Sequence, residues 1–140
     1  MFQGEFEYRL DSKGRVPFPP KFRSELKQGI VLTPGIEQCI TAYPLAEWKR
    51  VATSLTAGSL APSKIRSLNR AVFATAFTAT LDGQGRVVLP VPLREYAGIE
   101  FDLVIAGANN YLELWNKERW AQAKADAQAQ AWQIIESLER

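Results

Sequence analysis

One stretch of this chain is written twice. Phe6-Glu7-Tyr8-Arg9-Leu10-Asp11-Ser12-Lys13-Gly14-Arg15-Val16-Pro17-Phe18-Pro19 aligns without gaps, 71 residues on, with Phe77-Thr78-Ala79-Thr80-Leu81-Asp82-Gly83-Gln84-Gly85-Arg86-Val87-Val88-Leu89-Pro90, and Arg23 aligns with Arg94. After a one-residue slip the match continues through Gly35 and Gly107, Ile40 and Leu112, Tyr43 and Trp115, and Trp48 and Trp120. Two copies are too few for a solenoid, whose terminal units must cap a stack. They suit a closed unit with pseudo-two-fold symmetry.

Each copy reads alike. An alternating strand (Phe6, Tyr8, Leu10; then Phe77, Ala79, Leu81) runs into a polar turn, Asp11 to Gly14 or Asp82 to Gly85. An Asp side chain bonds its own backbone two residues on, and glycine takes the positive φ of a tight hairpin turn. A second strand starts at Arg15 or Arg86 and ends at proline, which cannot donate to a central ladder. Short helical turns are expected near Pro20–Leu26 and Pro92–Ala97. Strands follow at Ile30–Leu32 and Leu103–Ala106, turn at Pro34-Gly35 or Gly107–Asn110, and return as Cys39–Tyr43 and Tyr111–Trp115. A helix closes each copy.

Strands this short leave open edges and little core per copy, so the copies are expected to interlock into one barrel, mainly β with peripheral helices. The expected division is a first repeat over 1–47, a helical connector over 48–75, a second repeat over 76–119 and a C-terminal helix over 120–140. In the connector Trp48, Val51, Leu55, Ile65, Leu68 and Val72 keep helical spacing. Ala57–Pro62 interrupts them and predicts two helices. Asn116 is the expected N-cap of an alanine-rich last helix.

Composition narrows the chemistry. The chain has 140 residues, enough for one compact unit or two packed halves. There is no histidine, which removes the commonest general base and zinc ligand, and one cysteine, which removes an internal disulfide. No metal site and no cofactor are expected. No 18-residue apolar run predicts a membrane span, and Met1–Glu5 lacks the basic and apolar regions of a signal peptide. The net charge of +2 is unevenly spread. Residues 1–70 hold 11 bases and 6 acids, residues 71–140 hold 6 and 9, and Lys49, Arg50, Lys64, Arg66 and Arg70 share a stretch without an acid. Such a segregated basic surface has two readings: a solvated helix face, or attraction to phosphate.

The repeated Asp-x-x-x-Arg also has two readings. In one, Asp11, Gly14, Asp82 and Gly85 build the turns, and an ion pair to the arginine fixes strand entry. In the other, Arg15 and Arg86 present a planar donor fork to phosphate or a guanine edge. Lys13 and Arg9 add charge to copy one, where copy two has Gln84 and Thr80. The first turn is therefore the stronger nucleic-acid candidate. An enzyme is disfavoured: Ser–His and Cys–His pairs are impossible, and Cys39 lies in an apolar run. Asp11 and Asp82 each have an arginine holding them ionised, which does not suit a glycosidase pair. The calcium-loop-like opening at Asp82 lacks its closing glutamate, position 93 being leucine. Trp48, Trp115 and Trp120 are expected in the core, and Phe2 and Trp132 at contacts between subunits.

The tandem Leu-Asp-x-x-Gly-Arg-Val pattern, at Leu10–Val16 and Leu81–Val87, with the opening Phe2-Gln3-Gly4-Glu5, resembles the MraZ family of bacterial transcriptional regulators. The resemblance implies two AbrB-like halves fused into a pseudo-two-fold double-split (swapped-hairpin) β-barrel. It implies a homo-oligomeric closed ring that binds short G-rich direct repeats in double-stranded promoter DNA. It also implies repression of the division and cell-wall gene cluster, the regulator's own gene included, and residence in the cytoplasm and nucleoid. Arg15 is the residue it ties to DNA. Gln84, where copy one has Lys13, weakens the case for Arg86. The rival expectation is a protein-binding or antitoxin-like module of the same design.

Overall fold

The computed structural model describes residues 1–139. The described residues fold as eight strands and four α-helices: β1 (Glu5–Arg9), β2 (Arg15–Pro17), β3 (Ile30–Pro34), β4 (Ile40–Pro44), α1 (Leu45–Thr56), α2 (Pro62–Leu68), β5 (Phe77–Ala79), β6 (Arg86–Val88), α3 (Val91–Ala97), β7 (Asp102–Gly107), β8 (Leu112–Asn116) and α4 (Lys117–Leu138). A single 3₁₀ turn, Pro20–Phe22, stands where copy two has α3, and a π-helical turn, Asn69–Phe73, follows α2. The strands lie close to their expected places. Proline opens α2, α3 and the 3₁₀ turn, where its missing N–H costs no helical bond.

Pairing is where the two copies meet. Six strands form one antiparallel sheet in the order β1-β7-β8-β4-β3-β5, and β2 pairs with β6 in a ribbon of two. Within a copy only β3–β4 and β7–β8 pair. The remaining ladders join the copies: β1 to β7, β5 to β3, β4 to β8, and β2 to β6. The order is its own image when β1 is exchanged for β5, β7 for β3 and β8 for β4. In the ribbon Val16 opposes Val87, so the pseudo-two-fold passes between them, and both are buried.

The hairpin expected at each Asp–Arg turn is therefore not one. The strands on either side of it leave for different partners, β1 to the sheet and β2 to the ribbon. Crossing over the core lets Leu10, Val16 and Phe18 all point inward, with Val87 and Leu89 from the other copy. A fully buried side chain of this size gains about 1.5–3 kcal/mol over an exposed one.

The sheet's inner face packs Ile30, Leu32, Ile40, Ala42, Leu103, Ile105, Leu112 and Leu114 against that ribbon and the short helices. Its outer face carries α1 and α4. Trp48 of α1 stacks on Tyr43, and Trp120 of α4 on the buried Trp115. Trp48 and Trp120 are partly covered rather than core. Asn116 caps α4 as expected, its Oδ1 accepting from the Arg119 N–H at 3.0 Å, while its Nδ2 donates to the Gly98 carbonyl. Phe2 is not at a free surface: it bridges Asn109 backbone to backbone and is only 2% exposed, edge-on to Phe22. Trp132 is exposed. Cys39 is buried, and burial beside Glu113 and Glu37 pushes its thiol pKa up to about 12. Among the described residues no helix is long and apolar enough to cross a membrane.

Candidate nucleic-acid interface

Both turns are built by the same short-range bonds. In copy one the Asp11 carbonyl accepts from the Gly14 N–H at 3.0 Å, and the Asp11 N–H donates to the Arg15 carbonyl at 2.9 Å. One carboxylate oxygen of Asp11 accepts from the backbone N–H groups of Lys13 and Arg15, each at 2.9 Å. The other accepts from Arg15 Nε at 2.6 Å. Gly14 sits at φ +73°, in the left-handed region that glycine enters without steric cost. Copy two repeats every bond: Gln84 and Arg86 N–H on one oxygen of Asp82, Arg86 Nε on the other at 2.9 Å, and Gly85 at φ +75°.

These carboxylates are held ionised by their surroundings. The Arg15 backbone N–H is the largest influence on Asp11, with the Arg15 side chain and Lys13 N–H adding to it, and the pKa falls to about 2. The Asp82 carboxyl is lowered as well, chiefly by the Arg86 backbone N–H. An ionised aspartate locked on Nε fixes the plane of each guanidinium. The terminal nitrogens of Arg15 take no hydrogen bond or ion pair within the described residues. That is the geometry a bidentate acceptor requires.

The ribbon then sets the two turns beside each other. Gly85 O accepts from the Phe18 N–H, and Gly14 O from the Leu89 N–H, each at 2.9 Å, so each turn is tied to the opposite copy. Arg86 Nη1 comes within 3.9 Å of Asp11. Two further arginines join from the far copy. Arg23 donates from Nε to the Phe18 carbonyl and lies against Gly85, while Arg94 donates to the Leu89 carbonyl and lies against Gly14. The site is thus a composite of both turns: Arg15, Arg23, Arg86 and Arg94 with exposed Lys13, set against Asp11 and Asp82. Arg23 and Arg94 were visible as matched positions of the repeat, but nothing along the chain says that each crosses to the other copy's turn. Arg9 lies elsewhere in bonding: it faces Asp102 at 3.6 Å and covers the Phe101 ring.

Two copies of one turn-bearing unit, interlocked through both sheets, define an internally duplicated, strand-exchanged β protein. The family described as "MraZ protein, putative antitoxin-like" matches residues 1–70 and again 72–137. The chain belongs to the MraZ family. It is similar to the transcriptional regulator MraZ of Dehalococcoides mccartyi strain BAV1, 59% identical over 140 residues and 99% of each chain. The protein of the same name from strain 195 is 56% identical over the same span and coverage. That of Syntrophomonas wolfei is 41% identical over 138 residues, covering 99% of this chain and 96% of its own.

Proposed function

We propose that this protein is a DNA-binding transcription regulator without catalytic activity, and that the composite of the two Asp–Arg turns is its DNA-reading surface. The observation that carries this reading is the convergence of Arg15, Arg23, Arg86, Arg94 and Lys13 on one turn pair whose carboxylates are already used. Lys13, with Arg9 beyond the turn, engages phosphates and sets the register; Arg15 reads guanine through its free edge. Arg86, tied to Asp82 and leaning toward Asp11, supports the first turn and meets DNA beside it. The relatives' name, transcriptional regulator, supports the same assignment.

In this reading residues 1–47 and 76–119 are two AbrB-like repeats closed into a swapped-hairpin barrel, linked by the connector 48–75 and followed by the helix 120–140. The barrel acts in the cytoplasm and nucleoid as a ring of identical subunits on short G-rich direct repeats, repressing the division and cell-wall cluster that contains its own gene. A single turn pair binds weakly; several held at fixed spacing engage successive repeats at high effective concentration.

Fluorescence anisotropy with double-stranded repeats tests it, comparing the wild type with Arg15→Ala and Arg86→Ala across a salt series. Loss of one phosphate contact lowers the log–log salt slope by about 0.9 per subunit engaged. Loss of a guanine contact flattens the preference for G-rich over scrambled DNA by about 1–3 kcal/mol. If both variants keep wild-type affinity, preference and slope, the surface is wrongly assigned.

A further inference from the structure

We propose that the helical connector is a second DNA-binding face, one that takes phosphates without reading sequence: Lys49, Lys64, Arg66 and Arg70 engage a stretch of duplex other than the one at the turn pair. The proposal rests on the DNA reading only in taking duplex as the ligand. Residues 45–76 hold five bases and one acid, a net of +4, while the other 108 residues sum to −2. The whole positive balance of the molecule therefore lies in this lobe, and positive charge gathered on one body draws a polyanion to it. All five bases are exposed. Arg50 is held by Glu47, the one acid, at 2.7 Å. Lys49, Lys64, Arg66 and Arg70 make no side-chain hydrogen bond or ion pair within the described residues.

Helix stability does not account for these charges. Lys64 stands in the first turn of α2, where the helix dipole disfavours a cation and no acid offsets it. Arg66 and Arg70, nearer the C-terminal end, gain from the dipole but stand four residues apart, a spacing at which like charges repel. The lobe holds them on a fixed frame all the same. Trp48 of α1 stacks on Tyr43 at the outer face of the sheet, and the π-helical turn brings Phe73 edge-on to Trp48 at 5.5 Å. Val51, Leu55, Ile65 and Leu68 are half-buried, so the apolar side of the lobe is turned inward. Leu60 is the one exposed large apolar side chain among the described residues of the lobe. A surface of bases with so little to insert fits a phosphate backbone, whereas a bilayer takes aromatic and aliphatic side chains below its headgroups. The ribbon with its turns lies on the inner face of the sheet and the lobe on the outer. A chain occupied at both joins two stretches of duplex.

Binding of the full chain to a short scrambled duplex, followed by fluorescence anisotropy across a salt series, tests the lobe. An Arg15→Ala, Arg86→Ala background removes the arginines of the turn pair from the measurement. In that background Lys49→Gln, Lys64→Gln and Arg66→Gln together are expected to lower the log–log salt slope by about 2.7 per lobe engaged, at about 0.9 per lost phosphate contact. The exchange Lys49→Arg, Lys64→Arg and Arg66→Lys keeps the charge and is expected to keep the slope, which separates charge from folding. With both turns intact, the glutamine variant is expected to retain the preference for G-rich repeats. It is expected to lose energy transfer between a donor-labelled repeat and an acceptor-labelled scrambled duplex, which the unsubstituted chain brings together. An unchanged slope, retained energy transfer, or loss of the G-rich preference in the glutamine variant overturns the proposal. So does an unsubstituted chain that sediments with phosphatidylserine vesicles but not with duplex at the same salt. If Arg15→Ala and Arg86→Ala leave the sequence preference intact, the turn reading fails alone, because the slope change from the lobe is read on scrambled DNA.

Discussion

Gly85→Ala is expected to be the most costly single methyl that can be added to either turn. A Cβ at Gly85 would lie 2.2 Å from Arg23 Nε, far inside contact distance, on a backbone at φ +75°. The backbone alone costs about 1–2 kcal/mol for a non-glycine residue. Displacing Arg23 also breaks its bond to the Phe18 carbonyl, a charged hydrogen bond worth about 1.5–3 kcal/mol, taken at the low end because the group is partly exposed. The sum is about 3 kcal/mol. Gly14→Ala meets the Arg94 guanidinium at 3.1 Å, which a shift of a few tenths of an ångström relieves, so it is expected to cost about 1–2 kcal/mol. Gly83→Ala meets nothing and is the control, neutral or stabilising by about 0.4–1 kcal/mol. Urea denaturation at one protein concentration reads all three, provided the slope is constant. Repeating Gly85→Ala in an Arg23→Ala background removes the clash and is expected to recover about 1–2 kcal/mol as coupling. A Gly85→Ala variant within 0.5 kcal/mol of Gly83→Ala, by the usual additivity error, refutes the packing of Arg23 on the second turn.

Three further outcomes follow from single features. Asp11 titrates at about 2 in the fold against 3.8 free, so its contribution to stability is complete above the free value and disappears as pH falls through both; Asp11→Asn is expected to flatten the acid limb of a stability–pH curve below about pH 5. Cys39, with its thiol pushed up to about 12 inside the fold, is expected to resist a thiol reagent at mildly alkaline pH and to react at the rate of unfolding, checked by colour development with and without urea. Phe2→Ala empties a core position against Phe22 and is expected to cost about 3–5 kcal/mol while leaving the wild-type mass in solution unchanged, measured by denaturation and light scattering on the same samples.

The local parts of this structure were legible because their causes are local. Asp11 and Asp82 bond atoms two and four residues away, so the Asx turn follows from spacing alone. Asn116 ahead of an alanine-rich run is a cap for the same reason. What the chain did not disclose is the choice of partner. Alternation in β1 says which side chains point inward but not that Glu5 pairs with Ala106, and a turn with glycine at its fourth position looks the same whether or not its strands stay together. The burial of Phe2 is not legible along the chain, because an aromatic near a terminus has no visible anchor until Asn109 is brought to it by the β7–β8 turn. The role of Arg23 and Arg94 is hidden along the chain for a related reason: each is placed by its own copy and used by the other.

The cross-copy ladders have a consequence for how the molecule is made. β3 and β4 are neighbours in sequence and can pair as soon as both exist, but β1 has no ladder until β7 is made, and β2 none until β6. Synthesis at about 5–20 residues per second leaves a strand near the start waiting on the order of 5–20 s for a partner about 100 residues away. Through that interval Phe6, Tyr8, Val16 and Phe18 have only incomplete cover, and a neighbouring chain on the same message offers the same strands that the chain will later provide for itself. Self-closure competes with exchange between nascent copies, and the interlock that unites the finished halves is what leaves the earliest strands longest alone.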